Sequence, residues 1–228
     1  YDDWKLDNQV ALKYAKSNNR NIFEVEYKGK EVVLEWGAID VNGEGTILTT
    51  EECLLDYETQ CRNPHLTRED YEEVFRQNIG AGNTLWLNKG IVGDDTHGHI
   101  DDFCRFTDKK TIVLAEEKNT SDPNHRILEE NRERLEGFRL QDGSKINLVR
   151  LPMPSPLIFS DQRLPASYAN FYIANESVLV PTFNDENDRI ALGILAELFP
   201  TRKIVGIHAV DLVWGLGTLH CLSQQEPI

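Results

Sequence analysis

Short apolar runs, turn residues and stretches of helical period alternate along most of the chain, and the alternation itself repeats. Two β-rich runs, an amphipathic helix and a further β-rich run make one unit, and three such units follow one another without sequence identity between them. In the first, residues 31–34 and 45–50 flank Asn42-Gly43, a dipeptide suited to the positive-φ positions of a hairpin turn. Thr67, with Asp70 three residues on, predicts a capped helix whose apolar stripe is Tyr71, Val74, Phe75 and Ile79; residues 84–87 then close the unit. In the second, residues 99–106 form a strand that pairs with 111–115 across Asp108-Lys109-Lys110. Asp122-Pro123 starts its helix as cap and first-turn residue, with Ile127, Leu128 and Leu135 on the buried face. The third has strands at 168–174 and 177–180, a helix from about Asn184 carrying Ile190, Ile194, Leu195 and Leu198, and a strand at 203–207. Residues 218–221 read as the first strand of a fourth unit. The segment Pro152-Met153-Pro154-Ser155-Pro156 is an extended connector, because each residue before a proline is pushed out of the α region. Nothing else resembles a linker, so residues 1–228 read as one α/β domain of ββαβ units.

Charge narrows the partners. Lys and Arg number 24 against 38 Asp and Glu, a net charge of −14, which argues against nucleic acid or an anionic membrane surface and favours a cationic ligand. No apolar run approaches the roughly 20 residues of a bilayer span, and the acidic start Tyr1-Asp2-Asp3 is the reverse of a signal-peptide n-region. Cys53, Cys61, Cys104 and Cys221, with no CxxC pair, read as reduced thiols of a cytoplasmic protein. The chain begins at Tyr1, which predicts either a removed N-terminal segment or a piece of a longer product.

The reactive residue types gather at or just before the first strand of each unit. Glu35-Trp36-Gly37 stands in the first, residues 93–102 in the second, Ser167, Tyr168 and Asn170 in the third, and Gly215-Leu216-Gly217-Thr218-Leu219-His220-Cys221 in the fourth. If the units surround an axis, these positions converge. Cys221 is either an inert core thiol or, with a histidine brought near, a nucleophile. On a strand, His99 and Asp101 point to one face, a pairing that suits a general acid/base beside an anionic anchor. His97-x-His99-x-Asp101 also resembles the opening of a metallo-hydrolase motif, although Asp102 stands where that motif has histidine. Glu35 has a plain surface reading, and Asn170 is unusual because strands are depleted in asparagine.

Several runs together resemble one family. Residues 43–55, Arg62-Asn63-Pro64, residues 93–101, 166–173 and 217–225 are similar, in order, to agmatine deiminases of the Porphyromonas-type peptidyl-arginine deiminase family. The resemblance implies a pentein-type α/β propeller of ββαβ modules around a central active site, incomplete at its N-terminus in this sequence. It implies hydrolytic deimination of agmatine to N-carbamoylputrescine and ammonia, a step toward putrescine, without cofactor or metal. Cys221 would attack the guanidinium carbon, His99 would transfer protons, and Glu35 would orient the histidine. Asp101 would hold the guanidinium, with Asn170 and Trp36 lining the pocket. A peptidyl-arginine or another guanidine is the alternative substrate, a homodimer is one arrangement, and a truncated, inactive remnant is the reading from another class. Two departures stand out: the family's Glu-Gly-Gly reads Glu35-Trp36-Gly37, and its Trp-x-Arg-Asp-x-Gly-Pro run, which carries a second guanidinium-binding aspartate, is not in this sequence.

Overall fold

Each of the three repeats folds as a three-stranded sheet in which an antiparallel hairpin is extended, on its second strand, by a parallel strand returned through a helix. A computed structural model describes residues 5–226 of the chain. It divides into two compact units, Tyr1–Val33 and Leu34–Ile228. In the first, a short 3₁₀ turn leads into α1 (Val10–Ser17), and β1 (Glu26–Tyr27) pairs with β2 (Lys30–Glu31).

The second unit carries the modules. Module one is β3 (Asp40–Val41), β4 (Thr46–Thr50), α2 (Glu51–Leu55), α3 (Arg68–Asn78) and β5 (Asn83–Leu87). The capping box expected for α3 is present: Asp70 N donates to Thr67 Oγ1 and Thr67 N donates to Asp70 Oδ2. Its Tyr71 and Phe75 rings pack on Trp86 of β5 at 6.3 and 6.5 Å. Module two is β6 (Cys104–Phe106), β7 (Thr111–Glu116), α4 (Pro123–Gly137) and β8 (Asn147–Pro152), with Asp122 capping α4 and Pro123 at its first position. A hairpin of β9 (Ile158–Phe159) and β10 (Gln162–Arg163) precedes module three, which is β11 (Tyr172–Ile173), β12 (Ser177–Thr182), α5 (Asp188–Leu198) and β13 (Lys203–His208).

Four expectations are corrected. The first hairpin uses Asp40–Val41, not 31–34, because Asn42 Oδ1 accepts from Glu44 N and Thr46 N and so closes a turn whose arms must lie beside it. His99 and Asp101 are not on a strand: Ile100–Asp102 is a buried 3₁₀ turn, and β6 starts only at Cys104. The strand expected at 168–174 is reduced to Tyr172–Ile173. Residues 218–221 form a turn, with Leu222 N donating to Thr218 O, rather than a strand. β8 carries no apolar alternation distinct enough to mark it beforehand, and pairing with β7 creates it.

Side-chain alternation on β7 joins the modules. Ile112 and Leu114 enter one core cluster with Leu48, Leu85 and Leu87 of module one, while Val113, on the other face, enters a second with Val178, Val180 and Leu195 of module three. Each such fully buried aliphatic side chain contributes about 1.5–3 kcal/mol of transfer free energy. A polar bridge runs through the same seam. Arg105 of β6 is buried, its Nε lies 3.3 Å from Asp40 Oδ2 of module one, and its Nη1 donates to Phe171 O of module three at 3.1 Å. Its guanidinium stacks over the Phe171 ring at 4.9 Å.

Candidate active site

The three modules present the residues just before their first strands to one place. Trp36–Ala38 is a 3₁₀ turn leading to β3, Ile100–Asp102 is another leading to β6, and a turn at 168–169 delivers Asn170 ahead of β11. The middle turn is launched by Asp94, whose Oδ2 accepts from Gly98 N and His99 N, while Thr50 Oγ1 donates to Gly98 O. Gly98 has φ +87°, and a Cβ there would also meet the Glu52 carboxylate at 2.9 Å, so the residue preceding His99 has to be glycine. Gly37 is required for a different reason. A Cβ on it would lie 2.5 Å from His99 Nδ1 and 3.0 Å from Asp101 Oδ1, which shows how closely the first and second turns approach.

Asn170 is the hub. Its Nδ2 donates to Cys221 Sγ at 2.9 Å, to Asp102 Oδ1 at 3.0 Å and to Asp101 Oδ2 at 3.2 Å. Its Oδ1 accepts from Thr218 Oγ1 at 2.8 Å and from His220 N at 3.0 Å. One buried amide thereby ties the second module's acidic turn to the segment that carries the cysteine. His220 Nδ1 reaches Asp101 Oδ2 at 2.6 Å, and the Cys221 thiol lies 3.5 Å from the same oxygen. His99 Nδ1 stands 3.9 Å from Asp101 Oδ1. Gly217 makes room for the thiol, since a Cβ there would meet Cys221 Cβ at 2.7 Å.

The electrostatics of this cluster are polarised. Burial works to raise the Asp101 pKa, but the hydrogen bond and charge of His220, with His99 and Arg105 nearby, outweigh it and hold the carboxyl below its ordinary value. Asp102 is pushed well above its ordinary value by burial, then by the Asp101 and Asp94 charges. Cys221 is solvent-exposed as a residue, yet its sulfur is packed against Asn170 and Asp101. Burial of the sulfur, followed by the Asp102 and Asp101 charges, raises its pKa strongly. A thiol between two carboxylates stays protonated until a cation arrives. Asp101, Asp102 and Cys221 offer donor atoms within 4.8 Å of one another, a set that can hold a small cation or face a guanidinium.

Cys221, Asp101, Asn170 and His99 are brought together. Glu35 is not hydrogen-bonded to His99: its Oε1 accepts from Arg62 Nε at 2.8 Å, and its Oε2 is buried without a hydrogen-bond partner among the described residues. Arg62 also donates to Thr96 O, so the Glu35–Arg62 pair braces the loop that leads to His99. Trp36 lies on the Gly37 turn and is 37% exposed. His97 turns away to Asp56 Oδ2 at 2.8 Å and holds the Asp56 pKa down at about 2, which breaks up the His97-x-His99-x-Asp101 metal reading. The sequence pattern singles out neither Asp102 nor His220 as a site residue. Their adjacency to Asp101 and Cys221 was the available signal, and a strand assignment aimed both at the wrong face.

A family model described as Porphyromonas-type peptidyl-arginine deiminase matches residues 1–227. The chain belongs to that family. It is 36% identical to the agmatine deiminase of Pseudomonas fluorescens over 100% of its own length. Among solved structures, the agmatine deiminase of Enterococcus faecalis superposes with a TM-score of 0.90 at 32% identity, covering 100% of this chain and 65% of that one. A Cys-to-Ser variant of the C. jejuni agmatine deiminase, solved with substrate bound, superposes with a TM-score of 0.85 at 34% identity over 95% of this chain and 62% of that one. The sheets described above are therefore modules of the pentein-type α/β propeller. The chain spans 65% of the length of the P. fluorescens relative. No helix among the described residues is long and apolar enough to cross a membrane.

Proposed function

We propose that this chain supplies the nucleophile and guanidinium anchor of a hydrolase that converts agmatine to N-carbamoylputrescine and ammonia. The observation that carries the reading is the convergence of Cys221, Asp101, Asn170 and His99 from separate modules, with the thiol 3.5 Å from a buried carboxylate. Its context is a family match over nearly the whole chain.

A guanidinium is planar and cationic, so a carboxylate oxygen that accepts from its N–H groups helps to fix the carbon for attack. Asp101 Oδ1 is buried without a hydrogen-bond partner among the described residues and supplies that acceptor. The arriving cation offsets the two carboxylates that keep Cys221 protonated, and the thiol proton passes to His99. The thiolate adds to the guanidinium carbon; His99 returns the proton to the departing nitrogen, and ammonia leaves a covalent thiouronium. Water then loses a proton to His99 and adds to the same carbon. Collapse expels the sulfur, which recovers the proton, and the ureido product departs. Glu35, through Arg62, steadies the loop that aims His99, and Trp36 borders the entrance.

Ammonia release from agmatine, free arginine and an arginine peptide, measured side by side, tests the substrate. Agmatine is expected to lead, with Cys221→Ala giving no ureido product while its far-ultraviolet dichroism stays unchanged. An alanine variant that still turns over rejects the covalent route, and a preference for the peptide rejects agmatine.

A further inference from the structure

We propose that His220 is a positioning residue that divides the work of the Asp101 carboxylate, committing Oδ2 to the protein and leaving Oδ1 for a guanidinium. The role rests on the guanidine-hydrolase reading above and specifies how its anchor is held. The two oxygens of Asp101 are treated very differently. Oδ2 receives His220 Nδ1 at 2.6 Å, Asn170 Nδ2 at 3.2 Å and the Cys221 thiol at 3.5 Å, whereas Oδ1 is buried and receives no hydrogen bond among the described residues. Both oxygens border the Gly37 turn, 3.0 and 3.1 Å from where a Cβ on Gly37 would sit, and Oδ1 lies 3.9 Å from His99 Nδ1. Of the three donors to Oδ2, the histidine is the shortest and therefore does most to fix the carboxylate's rotation.

His220 is itself held on two sides. Its backbone N donates to Asn170 Oδ1 at 3.0 Å and to Asn170 O at 3.2 Å, and its carbonyl accepts from Ser223 N and Ser223 Oγ. The residue is buried, and among the described residues Nε2 has no hydrogen-bond partner, so the ring bonds to them through Nδ1. The residue next to the nucleophile in sequence therefore aligns the anchor opposite the nucleophile. A carboxylate without that donor can rotate Oδ1 toward Cys221 and lose the orientation that presents a guanidinium carbon to sulfur.

Side-chain geometry gives a selective test. Asparagine Nδ2, like histidine Nδ1, hangs one bond from Cγ, whereas glutamine Nε2 overlays the unused Nε2 position. His220→Asn should keep the donor to Asp101 and His220→Gln should lose it, at similar size. Two readouts are taken on the full chain: the pH profile of Cys221 alkylation by iodoacetamide, and agmatine binding by calorimetry in a Cys221→Ala background. His220→Asn is expected to track the parent in both. His220→Gln is expected to move the thiol profile upward, because an uncompensated carboxylate then faces Sγ, and to weaken agmatine binding about tenfold, the low end for losing a hydrogen bond to a charged group.

Equal behaviour of the two variants overturns the proposal. If thiol profiles split while neither parent nor variants bind agmatine, the positioning role stands and the substrate reading falls. In an Asp101→Asn background the two substitutions should become indistinguishable, and a split that persists there also overturns it. This double-variant comparison holds even where one single variant unfolds.

Discussion

Replacing Asn170 by alanine removes the amide on which three parts of the fold converge. Its Nδ2 makes contacts of 2.9, 3.0 and 3.2 Å to Cys221, Asp102 and Asp101, and its Oδ1 makes contacts of 2.8, 3.0 and 3.4 Å to Thr218, His220 and Cys221. The contacts at 3.0 Å or less are well formed. At about 1 kcal/mol for a neutral bond and about 1.5–3 for one to a charged group, they sum to about 5 kcal/mol. They share atoms in one network, which discounts the sum to about 3–4 kcal/mol.

Equilibrium unfolding in guanidinium chloride, with an unchanged denaturant slope, measures this directly. Asn170→Asp separates donor from acceptor. It keeps the shape and the Oδ1 acceptor but sets a third carboxylate beside Asp101 and Asp102, so the introduced group has a raised folded-state pKa. Its stability contribution is fully present below the unfolded value of about 3.9 and is lost as pH rises through the raised one, so the variant should be least stable in alkali and approach the parent in acid. A cost below about 1 kcal/mol for Asn170→Ala would refute the hub reasoning. So would an Asn170→Asp penalty that does not change with pH.

Asp102→Asn keeps the oxygen that accepts from Asn170 but removes a carboxyl whose pKa burial and its acidic neighbours raise. Its thermal midpoint should exceed the parent's above neutrality and converge with it in acid, and a gain of equal size at both pH values rejects the assignment. Gly37→Ala places a methyl carbon 2.5 Å from His99 Nδ1, so it should cost about 1–3 kcal/mol and slow Cys221-dependent turnover more than it lowers the melting point. Arg105→Met leaves Asp40 buried without its ion pair and should destabilise by about 3–5 kcal/mol, read by chemical denaturation, whereas Asp40→Asn with Arg105→Met together should recover part of that loss. Native-state alkylation mapped by peptide mass should label Cys221, which is exposed, and spare Cys53 and Cys104, which are fully buried; rapid labelling of Cys53 contradicts the packing.

Sequence by itself determined the modular plan. The Thr67 capping box, the Asp122-Pro123 start and the Asn42-Gly43 turn are local signals, because each is satisfied by atoms within a few residues, and each appears where the pattern puts it. Candidate chemistry was legible to the extent that Cys221, His99, Asp101 and Asn170 stood in polar clusters at the starts of units. Long-range contacts decided the remainder. The turn at 100–102 forms in place of a strand because Asp94 and Thr50 hold Gly98 and His99, and residues 218–221 curl because Asn170 gathers Thr218 and His220. Glu35 pairs with Arg62, and His97 with Asp56, across separations of 27 and 41 residues that no local pattern encodes. A lone carboxylate or histidine carries no mark of its partner. Only the packing of three modules around one amide selects which of the chain's acidic and basic groups meet the thiol.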